Sequence, residues 1–268
     1  MTAFELFQAG RLSEAVAAQT QEVKAHPTEP DARYFLFVLL CFAGELERAS
    51  TALNVIAQQD SKLEKSSLVL RSLLAAEDER RRVWMKEGQP LLPPEASPHL
   101  LARIGALESF RAGEVELADK ALREVEAEVP ARGGVLDGEP FDGIRDCDDL
   151  LGPVLEVFVG GRYLWVPIER IGKLELSSPS TAIDLLWIQA ELEDIDGETA
   201  SVYVPALYEG SYASSNEKIR LGQMTDWIDH GGRLFRGSGQ RILLTGRAGS
   251  ENESAILSVN AIEFPEAT

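Results

Sequence analysis

Apolar residues recur at helical spacing through the first 130 positions and at strand-like spacing afterwards, and this change of period divides the chain. Residues 13–24 carry one apolar stripe among Gln, Glu and Lys and stop at His26-Pro27, where the proline ends a helix. Asp31 stands where an N-cap is expected for the next helix, which runs through Tyr34-Phe35-Leu36-Phe37-Val38-Leu39-Leu40 to Gly44. That run is apolar all round, so its helix is expected to lie between neighbours. A partner helix follows over 46–58, with Leu53 and Ile56 on the face shared with Ala49. Leu68, Leu70, Leu73, Leu74 and Val83 extend one stripe toward Trp84, which predicts a single longer helix. The prolines of Gly88-Gln89-Pro90-Leu91-Leu92-Pro93-Pro94 require an extended loop, and helices resume over 100–110 and 115–128.

A short pattern punctuates these helices three times: Gly10-x-Leu12-x-x-Ala15, Gly44-x-Leu46-x-x-Ala49 and Gly113-x-Val115-x-x-Ala118. Gly10 and Gly44 are 34 residues apart, and Gly113 lies 69 further on, one more than two such periods. That is the tetratricopeptide period. Two antiparallel helices joined by a tight turn need a glycine that accepts left-handed backbone and a small residue where the axes come closest. Pro27 and Pro130 follow the first and third glycines by 17 residues, and Ser61 takes that place in the second copy. The competing reading is a helical bundle with coincidental glycine turns.

Beyond Pro130, Gly133-Gly134 and Gly138 read as a linker. Val154-Leu155-Glu156-Val157-Phe158-Val159 and Tyr163-Leu164-Trp165-Val166-Pro167, joined by Gly160-Gly161, predict a hairpin. Further strands are expected within 185–193, 201–205, 241–245 and 256–262, and short helices over 168–171 and 225–229. The fold class is α+β: tetratricopeptide-like antiparallel helix pairs over 1–130, a linker over 131–140, and a compact β-rich domain over 141–268, built as a small barrel or strongly bent sheet. Trp165, Trp187, Tyr208 and Trp227 either share its core or mark a second docking surface.

Charge and composition narrow the function. A net charge of −18 opposes binding to nucleic acid. Arg80-Arg81-Arg82 directly follows Glu77-Asp78-Glu79 and reads as a solvated, self-paired helix face. No run of apolar residues is long enough to span a membrane, and the N-terminus lacks a signal-peptide pattern. Cys41 and Cys147 fit reduced thiols in a cytoplasm.

Catalytic constellations are hard to find. His26, His99 and His230 lie far apart, and the first two sit beside prolines in expected solvent-facing loops. Gly237-x-Gly239 lacks a third glycine and a following helix, and Ser211, Ser214 and Ser215 lack a nucleophile-elbow setting. Asp142, Asp146, Asp148 and Asp149 either hold a divalent cation or form a solvated linker and helix cap. Neither a cofactor nor a resident metal is expected.

Phe141-Asp142-Gly143-Ile144-Arg145-Asp146-x-Asp148-Asp149, Leu155-Glu156-Val157, Tyr163-Leu164-Trp165-Val166-Pro167, Asp184-Leu185-Leu186-Trp187, Val204-Pro205-Ala206-Leu207-Tyr208-x-Gly210-Ser211, Leu221-Gly222 and Thr225-Asp226-Trp227 follow the helical half in that order. In these motifs the chain resembles the ImpE/SciE family, also called TagJ. The resemblance implies a cytoplasmic accessory protein of the type VI secretion system that binds an N-terminal helix of the small contractile-sheath subunit and is linked to the ClpV-type disassembly ATPase. It implies no catalytic residues.

Stacked helix pairs leave a groove lined by the first helix of each pair, into which a partner helix can lay its apolar face. Helix phase nominates Arg33, Tyr34, Phe37, Arg71, Leu74, Arg103 and Phe110 as partner-binding residues, the arginines standing out in so acidic a chain. On this reading Phe37→Ala or Arg103→Glu weakens the complex without unfolding the protein. The rival readings are a cargo or effector chaperone using the same groove, and a metal-dependent hydrolase built on Asp146, Asp148 and Asp149.

Overall fold

The computed structural model describes residues 1–59, 64–85, 87–126, 129, 132–247 and 250–265. Among them seven helices come first: α1 (Ala3–Gln8), α2 (Leu12–Ala25), α3 (Pro30–Phe42), α4 (Leu46–Gln59), α5 (Glu64–Trp84), α6 (Pro98–Arg111) and α7 (Val115–Glu126). The chain turns between α1 and α2, α3 and α4, and α6 and α7 at Gly10, Gly44 and Gly113, whose φ angles are +77°, +79° and +82°. Each turn closes with the same pair of bonds. At the second, Gly44 N–H donates to Cys41 O (3.1 Å) and Glu45 N–H to Leu40 O (2.9 Å), satisfying carbonyls the helix end would otherwise orphan. Ala15, Ala49 and Ala118 are completely buried where the paired helices meet. The three motif copies therefore do the same geometric job.

The long helix α5 forms as its stripe requires. Helix α3 starts one step earlier than expected: Pro30 occupies its first turn and Asp31 lies inside the helix rather than capping it. Proline lacks the N–H that would be orphaned there and has its φ preset for a helix, so it begins the first turn. From Leu36 to Phe42 every side chain is buried. Pro130, Ser61 and Lys86 lie outside the described residues.

Among the described residues the second half contains thirteen strands: β1 (Gly134–Leu136), β2 (Glu139–Phe141), β3 (Gly143–Asp146), β4 (Val154–Val159), β5 (Arg162–Pro167), β6 (Ile171–Leu176), β7 (Trp187–Asp194), β8 (Thr199–Pro205), β9 (Thr225–Asp229), β10 (Phe235–Gly239), β11 (Ile242–Arg247), β12 (Ser250–Ala255) and β13 (Ala261–Glu263). One short helix, α8 (Glu217–Arg220), precedes β9. Eight strands form one sheet in the order β2-β1-β13-β6-β7-β8-β4-β5, beside a three-stranded sheet β12-β11-β3 and a two-stranded ribbon β10-β9. The large sheet is open, not a closed barrel.

Three local expectations change. Residues 134–140, placed in a linker, form with Phe141 the β1–β2 hairpin about Asp137 and Gly138, with β1 also paired to β13. Pairing of Leu136 with Ile262 and of Val135 with Glu263, 126 and 128 positions apart, is invisible to local composition. Residues 225–229 form strand β9 because the segment is too short to repay helix nucleation and alternates Thr, Trp and Asp on one face. Residues 256–262 split into a 3-10 turn, Ile256–Ser258, and β13.

The large sheet has two apolar faces. Along β4, Val154 and Phe158 join the helices in one core, while Leu155 and Val157 join a second core with Ile171, Ile188, Val204 and Ile262. Trp165, Trp187 and Tyr208 are buried in the first core, which therefore belongs to helices and sheet together. Trp227 stays partly exposed. Among the described residues, no helix is long and apolar enough to cross a membrane.

Candidate partner-binding site

Two regions carry most of the chemistry: a buried polar seam between helices and sheet, and an open cleft on the helical side.

Helix α5 supplies the first half of the seam. Its apolar phase, Leu73, Ala76, Val83, passes through Glu77, Arg80 and Trp84 and carries these onto the sheet. Arg80 grips Glu156 of β4 with two bonds, Nε to Oε1 and Nη2 to Oε2, both 2.9 Å, and donates to Leu207 O at 3.0 Å. Arg241, just before β11, pairs with Glu156 from the other side and also with Asp146 of β3. Tyr163 and Trp84 donate to Glu156 Oε1 as well, and Tyr208 donates to Asp146 Oδ1 at 2.9 Å. Next to them, Asp148 accepts from Arg236 Nε (3.1 Å) and Gly237 N–H (3.2 Å), while the Arg236 guanidinium lies 3.9 Å from the Trp84 ring centre.

Burial alone would raise the pKa of Glu156, but Arg80 and Arg241 overcome it and hold the carboxyl well below its usual range. Asp146 moves the other way: burial, aided by the Asp148 carboxylate, pushes it up to about 6 against the pull of Arg241. These carboxylates are spent on arginine. Both readings of the acidic cluster therefore fail for Asp146 and Asp148, which are neither solvated nor gathered around a cation position. Among the described residues no three His, Cys, Asp or Glu side chains gather in metal-binding geometry.

The arginine triplet changes likewise. Arg81 donates to Gly44 O (2.8 Å) and stacks over Tyr212 at 3.9 Å, so of the three only Arg82, paired with Asp78 in solvent, matches the expected exposed face. The helical phase of α5 was the signal that charged names obscured. His99 is also buried, its Nε2 against Glu169.

The cleft is lined by residues of α3, α4 and α5 and by Tyr203 of β8. It has a volume of about 490 Å³ and is lined by Tyr34, Leu53, Ile56, Val69 and Leu70. Leu53 and Ile56 are its buried floor, while Leu68 (56% exposed) and Val69 (42%) stand at the surface of α5. Burial, with Asp184 nearby, raises the pKa of Tyr34 and Tyr203, so both phenols remain neutral.

The seven nominated residues separate. Tyr34 lines the cleft. Arg33 donates to Pro27 O (2.9 Å), and Arg71 to Asn54 Oδ1 (3.2 Å). Phe37 and Leu74 are buried in the shared core, because the face that contacts a neighbouring helix has the same period as one that would contact a partner. Arg103 is completely buried, donating to Asp149 O (2.8 Å) and Leu150 O (3.3 Å). Phe110 packs edge-on against His230, centroids 4.8 Å apart. Phe37→Ala and Arg103→Glu would therefore disturb the fold itself, contrary to the expectation from helix phase. Val69 and Tyr203, absent from the nomination, are cleft residues. Val69 falls off the principal stripe, and Tyr203 comes from a strand 169 positions after Tyr34.

Helix pairs fused through one core to an open antiparallel sheet, with a largely apolar cleft and carboxylates paired to arginine, define an α+β protein whose two halves share one interior. The ImpE protein family model matches residues 138–263. The type VI secretion system accessory component TagJ of Pseudomonas aeruginosa is 32% identical over 265 residues, covering 98% of this chain and 91% of that protein. The crystal structure of protein VPA1032 from Vibrio parahaemolyticus superposes with a TM-score of 0.90 at 22% identity, over 99% of this chain and 98% of the other, and has the same fold. The chain belongs to the ImpE/TagJ family of type VI secretion accessory proteins.

Proposed function

We propose that this chain is a non-enzymatic cytoplasmic adaptor. Its cleft between α3, α4 and α5 receives an amphipathic helix from the N-terminus of the small contractile-sheath subunit, and the chain links the sheath to its ClpV-type disassembly ATPase. The observation that carries the reading is the open, largely apolar cleft itself, with Val69 presented to solvent beside a floor of Leu53 and Ile56. An amphipathic helix laid in a groove buries apolar side chains at helical spacing, and such a floor meets them. The arginine partners of Asp146 and Asp148 support the absence of turnover, since both carboxylates are neutralised where a hydrolase would need them free.

The test is calorimetric titration of the full chain with a synthetic peptide of the N-terminal helix of the sheath small subunit from the same organism. Saturable binding that weakens at least about tenfold, 1.4 kcal/mol, in Val69→Glu and in Tyr34→Ala is the expected result. Equal binding by both variants removes the cleft from the reading. Absence of binding removes the sheath helix as partner.

A further inference from the structure

A second surface lies on the ribbon formed by β9 and β10, away from the cleft. Exposed backbone edges invite pairing with other strands, and proteins usually guard them with proline, charge or a covering segment. Most edges here are guarded. Pro140 sits in β2. The loop at Leu91 covers β5, with Leu91 N–H donating to Tyr163 O (3.0 Å) and Trp165 N–H to Leu91 O (2.9 Å). Glu251 and Glu253 occupy β12. Strand β3 is met by Gly152, whose carbonyl accepts from Asp146 N–H (2.7 Å). The inner edge of β10 is occupied by Asp148, Asp149, Tyr208 and Ser211.

Strand β9 has neither a proline nor a covering segment; like β12 it carries charge, Asp226 and Asp229, but it also presents exposed apolar side chains. Among the described residues it pairs with β10 alone, and every residue from Asp226 to Asp229 is exposed. Trp227 (36% exposed) and Ile228 (48%) are exposed on opposite faces of the strand, with Phe235 of β10 and Met224, just before β9, exposed nearby. One side of Trp227 rests against Tyr208, ring centroids 5.9 Å apart, so the indole is already held in place. Pre-ordering of this kind lowers the entropic cost of binding.

We propose that β9 is a strand-addition site for an extended, cationic segment of a partner protein. The choice of occupant follows from charge. Asp226 and Asp229 are exposed and take part in no salt bridge among the described residues, and the whole chain carries −18. A second copy would bring two such charges together. A strand running antiparallel to β9 meets Asp229, Ile228, Trp227 and Asp226 in turn, and directly opposed residues on a sheet interact as pairs. The matching segment therefore reads basic, apolar, apolar, basic. Main-chain hydrogen bonds to the outer edge, where the partner displaces the Asp226 Oδ1 that accepts from Trp227 N–H (2.9 Å), supply affinity, and those four side chains supply selectivity. This site is independent of the sheath-helix reading of the cleft.

The probe is the blocked peptide Thr-Lys-Ile-Val-Lys-Thr, titrated into the full chain and followed by calorimetry and by amide hydrogen exchange over 225–229. A second peptide of the same sequence, N-methylated at alternate residues, keeps charge and apolar content but cannot form a ladder. Expected are saturable binding, slowed exchange in β9, and roughly tenfold or greater loss of affinity on N-methylation, in Ile228→Lys, and in the double variant Asp226→Lys with Asp229→Lys. Both variants change exposed side chains only, and unchanged melting temperatures confirm that the fold is intact. Equal binding of the N-methylated peptide overturns the proposal in favour of diffuse charge attraction. Absence of binding overturns it outright. Sedimentation of the protein alone as a dimer that Ile228→Lys dissociates would assign the edge to a second copy instead.

Discussion

The polar seam and the apolar cleft both use helix α5, yet they are opposites. In the seam, Arg80, Arg241, Glu156 and Asp146 are buried and joined by hydrogen bonds to Trp84, Tyr163 and Tyr208. In the cleft, Val69 is apolar and faces water. Arginine is enriched at interfaces because its fork pairs with carboxylates and stacks on rings, and here that interface is internal. The residues that look most like a docking surface hold the protein's own halves together, and the plain aliphatic ones remain open.

The largest effect should come from breaking the seam. Glu156→Ala leaves Arg80 and Arg241 buried without their carboxylate, and removing one partner of a buried pair costs about 3–5 kcal/mol. Because one apolar core spans helices and sheet, helical and tertiary signals should fall in a single transition. Urea unfolding followed by far- and near-ultraviolet circular dichroism checks this. Two separate transitions in the wild-type chain would mean that the seam does not couple the halves.

Acid should reach the seam next. The pKa of Glu156 is depressed in the folded chain, so its contribution is present above the unfolded carboxyl value of about 4.3 and is lost as pH falls below it toward the folded value. Melting temperatures between pH 3 and 7 should drop on the acid side in the wild type. Glu156→Gln should start lower at neutral pH and lose less. A variant whose acid branch parallels the wild type would place the acid-sensitive group elsewhere.

The turns sharpen the comparison at smaller scale. Left-handed backbone costs an L-residue about 1–2 kcal/mol, which Gly113→Ala should show, since nothing lies within 4 Å of the added Cβ. At Gly44 the same Cβ would stand 2.4 Å from the Tyr212 ring, so Gly44→Ala should be the more costly of the two. Equal losses in a denaturant titration would mean that Tyr212 moves aside freely.

Local rules were legible and distant pairings were not. Gly10, Gly44 and Gly113 announced their turns because a positive φ needs glycine and the period repeats. The β4–β5 hairpin was legible because Gly160-Gly161 joins two β-rich runs. The fate of Arg80 and Asp146 depended on Glu156 and Arg241, 76 and 95 positions away, which no window of sequence connects. Helix phase proposed Phe37 and Leu74 as contacts because core and docking faces share one period. Only the stacking of α3 on its neighbours decides between them. Of the seven, Tyr34 lines the cleft.

The smallest expected effect on stability tests the open half of the comparison. Val69 is 42% exposed, and surface substitutions away from caps, cores and buried networks change stability by less than about 0.5 kcal/mol. Val69→Glu should therefore melt with the wild type. The same carboxylate, placed at the mouth of the cleft, would have to be desolvated by any apolar helix laid across it, a cost that falls on the complex alone. Unchanged melting with weakened binding of the sheath-subunit helix is the expected pair of results. A large drop in melting temperature would mean that Val69 already packs within the protein, and the cleft would then be part of the core rather than its opposite.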